Sequence, residues 1–227
     1  MLSTPPRLPL TLVVGGTGIV LATIEPLLAQ ATWVITPIGH SQLFVFWTPQ
    51  FVALSQLVLA VSLVVLARGI GKEPGITGAS RLGRVSLIVF GVSGPVSEAM
   101  TFTPVMKVLT SRAYDGSADI DLHAVDWAVQ AALTISLLGL AALLVASVVV
   151  VRAGTVRGVA RWGLLMLGLS KALAFAALQT PLPFALPVLR WSLLIVPLIQ
   201  LVLGVLLLLQ ARSTRMPGVT RSVFGAG

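Results

Sequence analysis

Cysteine is absent from this chain. That absence excludes disulfides, thiolate metal sites, iron–sulfur clusters and thiol nucleophiles. Charge is also scarce. Asp, Glu, Lys and Arg make up 10% of the residues, where a soluble domain carries about a quarter. The two histidines, His40 and His123, fall in expected loops, so no histidine is set inside a helix to ligate a haem. No Walker loop, dinucleotide fingerprint, HExxH helix or nucleophile elbow occurs. No cofactor is therefore expected.

What remains is apolar. Hydrophobic residues form 56% of the chain and its mean hydropathy is +1.01. Such a chain cannot clothe its surface in polar groups, and a bilayer removes the need. The composition predicts an all-α, polytopic membrane helix bundle in contact with membrane lipid, a multi-pass protein of the cell membrane.

The net charge of +8 does not point to nucleic acid. Its carriers sit in short segments between apolar runs: Arg68, Lys72, Arg81 and Arg84, then Arg152, Arg157 and Arg161, then Arg212, Arg215 and Arg221. A nucleic-acid face needs a folded soluble domain or a long basic arm. Short basic loops instead mark the cytoplasmic side of a membrane protein, where they meet anionic headgroups.

A spanning helix takes roughly 20 mostly apolar residues. Six such runs are predicted: Leu8–Leu28, Gln50–Leu66, Val85–Leu109, Trp127–Val151, Trp162–Leu178 and Pro187–Gln210. The loops between them alternate. Residues 29–49 and 179–186 carry no charge, and residues 110–126 carry Arg112 with Asp115, Asp119, Asp121 and Asp126. The basic loops then place both termini in the cytoplasm. Trp33, Trp47, Trp127 and Trp191 fall near one expected interface and Trp162 near the other, as aromatic belts do. Residues 1–210 form a single transmembrane domain on this reading, and the basic, aperiodic stretch 211–227 is expected to be a disordered tail. A rival reading makes residues 1–31 a cleaved signal peptide ending at Ala29-Gln30-Ala31. Glu25-Pro26 and the length of the apolar run oppose it.

The helices also show a period. Arg7, Arg84 and Arg161 stand 77 positions apart, each followed by a small-residue cluster and a proline: Gly15-Gly16-Thr17 to Pro26, Gly91-Val92-Ser93 to Pro104, and Gly168-Leu169-Ser170 to Pro181. This predicts three hairpins, parallel repeats about an axis along the membrane normal. The plan is similar to that of the mitochondrial carriers. The carriers' proline–acid–base signature is missing after all three prolines, so membership is not assigned.

A charge at the centre of a membrane helix costs a few kcal/mol, which makes each one a functional candidate. Glu98 lies about 21 Å beyond Arg84 along the third helix, within Gly94-Pro95-Val96-Ser97-Glu98, where proline frees a carbonyl and is expected to kink or break the helix. Glu25 lies as deep on the first helix. Lys171 is near the middle of the fifth helix, Arg190 near the far end of the sixth, and Gln200 about 15 Å further in. Lys107 is near the same level, with a stem long enough to reach the interface. Glu98, Glu25, Lys171, Arg190 and Gln200 are the candidate binding residues. A structural ion pair between an acid and Lys171 or Arg190 is the competing role.

Asp119, Asp121, His123 and Asp126 supply oxygen and imidazole, but three ligands within five residues and no clear fourth make a poor cage, so no metal site is assigned. Gly15 to Gly18 lie inside an apolar span and read as close helix packing. The odd helices carry the Gly, Pro, Ser, Thr and charged residues. They are expected to line a polar interior, with the even helices outside.

Three functions fit. One is binding or transport of a small molecule or ion through a polar pocket in the outer half of the bilayer. The second is an enzyme acting on a lipid or isoprenoid, with Glu98 or Glu25 as general acid and Asp126 and Trp127 stabilising positive charge. The third is an anchor or assembly subunit bound to a membrane protein partner.

Overall fold

The computed structural model describes residues 9–35, 49–114, 122–178 and 182–215. They form six helices: α1 (Pro9–Ile35), α2 (Pro49–Arg68), α3 (Arg81–Tyr114), α4 (Leu122–Ala153), α5 (Ala160–Leu178) and α6 (Leu182–Arg215). Among the described residues no strand occurs. Each helix packs on its neighbour in sequence, and α6 returns to pack along α1. The six helices therefore close into a ring.

Five of them are long and apolar enough to cross a membrane, as counted among the described residues. The exception is α3, where Ser86, Ser93, Ser97 and Glu98 dilute the apolar run. It has 34 residues, ample for the bilayer, and is flanked on both sides by spanning helices. Outward faces are apolar: Leu57, Val61, Leu138, Met166, Leu173 and Leu209 are all more than half exposed. Water would not tolerate such a girdle, but acyl chains match it. Trp127, Trp162 and Trp191 also face outward.

Several boundaries differ from expectation. Helix α4 begins at Leu122, one turn early, and α6 runs from Leu182 to Arg215. Ala211, placed by sequence at the head of a tail, is fully buried in the core, while residues 216–227 lie outside the described residues. Helix α3 is unbroken through Pro95, so no half-helix ends form there. The segment offered as a signal peptide contributes most of α1, whose Leu12 and Ile19 join the core.

The two basic loops are built alike. Gly69 and Gly154 follow α2 and α4 with φ of 81° and 62°, and their N–H groups return to the carbonyls of Val65 and Val150. This is the left-handed cap that glycine adopts without strain. Gly78 and Gly158 (φ 59° and 62°) come three residues before Arg81 and Arg161. Two residues before each of those glycines, Ile76 and Val156 insert into the core at 1% exposure. The Thr155 hydroxyl donates to the Ile76 carbonyl and joins the two loops. The shared geometry supports a repeat of the second and third hairpins. It also corrects the register, because Arg161 corresponds to Arg81, not Arg84.

A loop carboxylate fastens the ring where α1 begins. Glu73, the one acid in the α2–α3 loop, accepts hydrogen bonds from the N–H of Leu10 (3.3 Å), the N–H of Thr11 (2.8 Å) and the hydroxyl of Thr11 (2.9 Å). The Ile70 N–H donates to the same hydroxyl (3.1 Å). First-turn amides have no intrahelical partner and sit at the positive end of the helix dipole, so an anion suits them. Glu73→Ala is expected to cost about 2 kcal/mol, the range for hydrogen bonds to a charged group. Thermal unfolding in detergent, followed by tryptophan fluorescence, checks this. Glu73→Gln should lose less.

Candidate functional site

On each helix one stripe, repeating every three or four residues, faces the ring interior. Near the basic loops that stripe is mainly aliphatic and closed, with the buried hydroxyls of Ser62 and Ser147 bonded back to their own helices. It holds Leu12 and Ile19, Leu63 and Ala67, Leu87, Leu143 and Ala146, Leu164 and Leu167, Leu203 and Leu207, all at most 2% exposed. All six helices contribute. The expected division into lining odd helices and peripheral even ones is therefore corrected: α4 alone supplies Leu143, Ala146, Ser147 and Val150 to the buried face. A ring gives every member an inner and an outer side, so helix parity decides nothing.

Followed away from the basic loops, each stripe becomes polar. On α2 the series Ala67, Leu63, Ala60 reaches Gln56, and on α3 Leu87, Gly91, Gly94 reaches Glu98. On α4 Ala146, Leu143, Gly139 reaches Ser136, on α5 Leu164, Leu167 reaches Lys171, and on α6 Leu207, Gly204 reaches Gln200. Helix α1 passes from Ile19 and Ala22 to Glu25. In these series one polar side chain per helix lies roughly 16–26 Å along the helix from its basic end. Glu25, Gln56, Glu98, Ser136 and Lys171 keep intermediate accessibility, while Gln200 is buried. The buried aliphatic layer lies at the end near the basic loops.

Contacts tie this layer together. The Ser55 hydroxyl donates to Glu25 Oε2 (3.3 Å) and also to the Val52 carbonyl (2.9 Å). Glu98 lies within Coulombic range of Glu25 and has polar or charged contacts of its own. The hydroxyls of Ser136 and Ser97 bond at 3.1 Å and link α4 to α3. Gly94 lets the Gln56 amide oxygen lie against the α3 backbone, since a Cβ there would meet it at 2.5 Å.

Lys171 is partly accessible, and its Nζ rests 5.2 Å from the centre of the Phe90 ring. An aromatic face holds a cation in an otherwise apolar setting. Among the described residues Lys171 makes no ion pair, and the pairing of Glu25 or Glu98 with Arg190 falls on a side chain outside the described residues.

The other candidates stand apart. Asp126 is exposed at the surface of α4 and accepts a bond from the Gln130 side chain one turn on (3.3 Å). With Trp127 at 70% exposure, it does not share the interior layer. The side chains of Arg190, Lys107, Asp119, Asp121, His123 and His40 lie outside the described residues. Among the described residues, no group of three His, Cys, Asp or Glu side chains could hold a metal ion. A groove of about 490 Å³ lies between α1 and α2, but its lining of Val14, Leu21, Leu57 and Val61 is exposed and apolar, and it faces lipid.

Gln56, Ser136, Phe90 and Glu73 escaped the sequence reading. Gln56 carried a signal, as an amide deep inside an apolar span. Compared with known protein families, with curated proteins and with solved structures, the chain matches none.

Proposed function

We propose that this membrane protein binds a small charged solute in the polar half of its ring and passes it across the bilayer. The observation that carries the reading is that on all six helices the inward stripe carries a polar or charged side chain in the half away from the basic loops. Polar side chains inside a membrane bundle are costly to keep, and they mark solute or ion pathways. On this reading the basic loops face the cytoplasm, the polar half opens to the outer side, and the aliphatic layer with Ile76 and Val156 is the closed gate. Left-handed glycines at Gly69, Gly78, Gly154 and Gly158 give the two gate loops hinges at their ends, as a conformational step needs.

A lipid-transforming enzyme would place an acid beside an apolar substrate cavity, whereas here the acids share their layer with two glutamines, serines and a lysine. An anchor has no need of that layer. The test is exchange by the full chain reconstituted in liposomes. Radiolabelled small amines and amino acids are expected to equilibrate across these vesicles at least tenfold faster than across protein-free ones. Equal rates for every solute, with no saturable binding to the purified protein, would overturn the reading.

A further inference from the structure

The groove between α1 and α2 has a shape set by small residues. A Cβ on Gly15 would strike Leu66, and one on Gly18 would strike Ser62, so only glycine lets the two helices meet this closely. Such residues bring membrane helices together. Larger side chains flank the contact: Val14 and Leu21 on α1, and Leu57, Val61 and Val65 on α2. All of these except Val65 are more than two-fifths exposed. The lining covers eight residue steps on each helix, about 12 Å, around a volume of about 490 Å³. A convex helix face touches a lipid chain on one side. A groove touches it on two, and so gains more dispersion contact.

One end of the groove carries charge. The lining series Leu57, Val61, Val65 continues at helical spacing to Arg68, the last residue of α2. Arg68, and Lys72 in the loop just beyond, are both exposed, and neither side chain makes an ion pair or hydrogen bond among the described residues. Glu73, the acid next in sequence, has both carboxylate oxygens on the first amides of α1. The two cations are therefore uncommitted at the end of a spanning helix, where a bilayer holds its phosphates.

We infer that the α1–α2 groove binds one acidic phospholipid, with an acyl chain along the groove and its phosphate at Arg68. A guanidinium takes two phosphate oxygens at once. Lys72 adds positive field, which favours a headgroup of net negative charge over a zwitterionic one. The site is on the lipid-facing side of the ring, apart from the interior layer, and does not rest on the solute reading.

The experiment is native mass spectrometry of the full chain in detergent, titrated with phosphatidylglycerol or with phosphatidylcholine of the same acyl chains. The wild-type protein is expected to bind one phosphatidylglycerol at least tenfold tighter than phosphatidylcholine. Arg68→Gln should bring phosphatidylglycerol down to the affinity of phosphatidylcholine. Val61→Trp fills the groove from an exposed position and should weaken both lipids at least tenfold. Val61→Phe repeats that test with a smaller ring, and thermal unfolding checks that each variant is folded. Two controls lie elsewhere on the lipid-facing surface: Arg212→Gln at the basic end of α6 and Leu138→Trp on the outward face of α4. Both should leave the two affinities unchanged. Equal affinity of the wild-type protein for the two lipids would overturn the headgroup assignment. Equal losses at the control positions would reduce the lipid to a non-specific annulus and overturn the site. A dimer of the lipid-free protein that Val61→Trp abolishes and phosphatidylglycerol does not displace would assign the groove to a second copy of the chain and overturn the inference.

Discussion

Glu98→Gln should abolish solute exchange while leaving the protein inserted and folded. The substitution keeps the shape of the side chain and removes a carboxylate that lies within Coulombic range of Glu25. A cationic solute held beside the two acids then loses part of its counter-charge in a low-dielectric interior, where such interactions are strong. The loss in affinity should be at least tenfold, about 1.4 kcal/mol. Insertion should not suffer, because an amide is easier to place in a membrane than a carboxylate. Exchange in liposomes and thermal unfolding, measured on the same preparation, separate the two effects. Unchanged exchange would remove Glu98 from the site. Loss of exchange together with loss of the folded protein would make Glu98 structural.

The second large effect is expected at the seam that closes the ring. Helices α1 and α6 touch backbone to backbone. A Cβ on Gly204 would lie 3.0 Å from the Gly16 carbonyl oxygen and 3.1 Å from the Val20 N, and a Cβ on Gly16 would lie 3.0 Å from the Gly204 carbonyl oxygen. The Val20 Cγ2 methyl lies nearer still to the Gly204 Cβ, at 2.8 Å, and the backbone atoms behind it cannot swing aside. Between membrane helices this close approach is a main source of association, since lipid is as apolar as leucine. Gly204→Leu must push the helices apart and forfeit contacts along the whole seam. It should cost about 3 kcal/mol or more, the upper range for overpacking, and yield aggregated protein on size exclusion. Gly204→Ala should cost about 1 kcal/mol and remain monodisperse. A leucine variant with wild-type unfolding would mean that α1 and α6 do not meet here.

Much of this architecture was legible in the sequence because the bilayer makes simple demands. Each helix must be long and apolar, and each basic loop must stay on one side. The runs that became α2, α4 and α5 needed nothing more. Glu25, Glu98 and Lys171 were legible for the same reason, since an ionisable group at that depth demands protein around it. Which side of each helix faces inward was not legible. Leu63 is 1% exposed and Val61 63%, yet both are aliphatic. In a soluble protein the outward residue would be polar, and the periodicity would give the face away. In lipid that contrast is erased. Gln56 and Ser136 went unremarked because neutral polar residues also occur on helices as packing or back-bonded groups. The parity rule failed from the same cause. It counted polar residues helix by helix, whereas the ring sorts them by depth. The Glu73 cap was hidden because α1 and its capping residue are more than 60 positions apart.

The common interior can be tested directly by cysteine accessibility along α4, for which the chain needs no prior removal of native thiols. Ser136→Cys, Leu138→Cys and Leu143→Cys would each be treated, in intact membranes, with a charged maleimide that does not cross lipid. The account predicts that position 136 labels from the side opposite the basic loops, that 138 is silent because it faces acyl chains, and that 143 is silent because it lies in the sealed layer. Labelling at 138 with none at 136 would place the hydrated face on the outside of the ring and contradict the account.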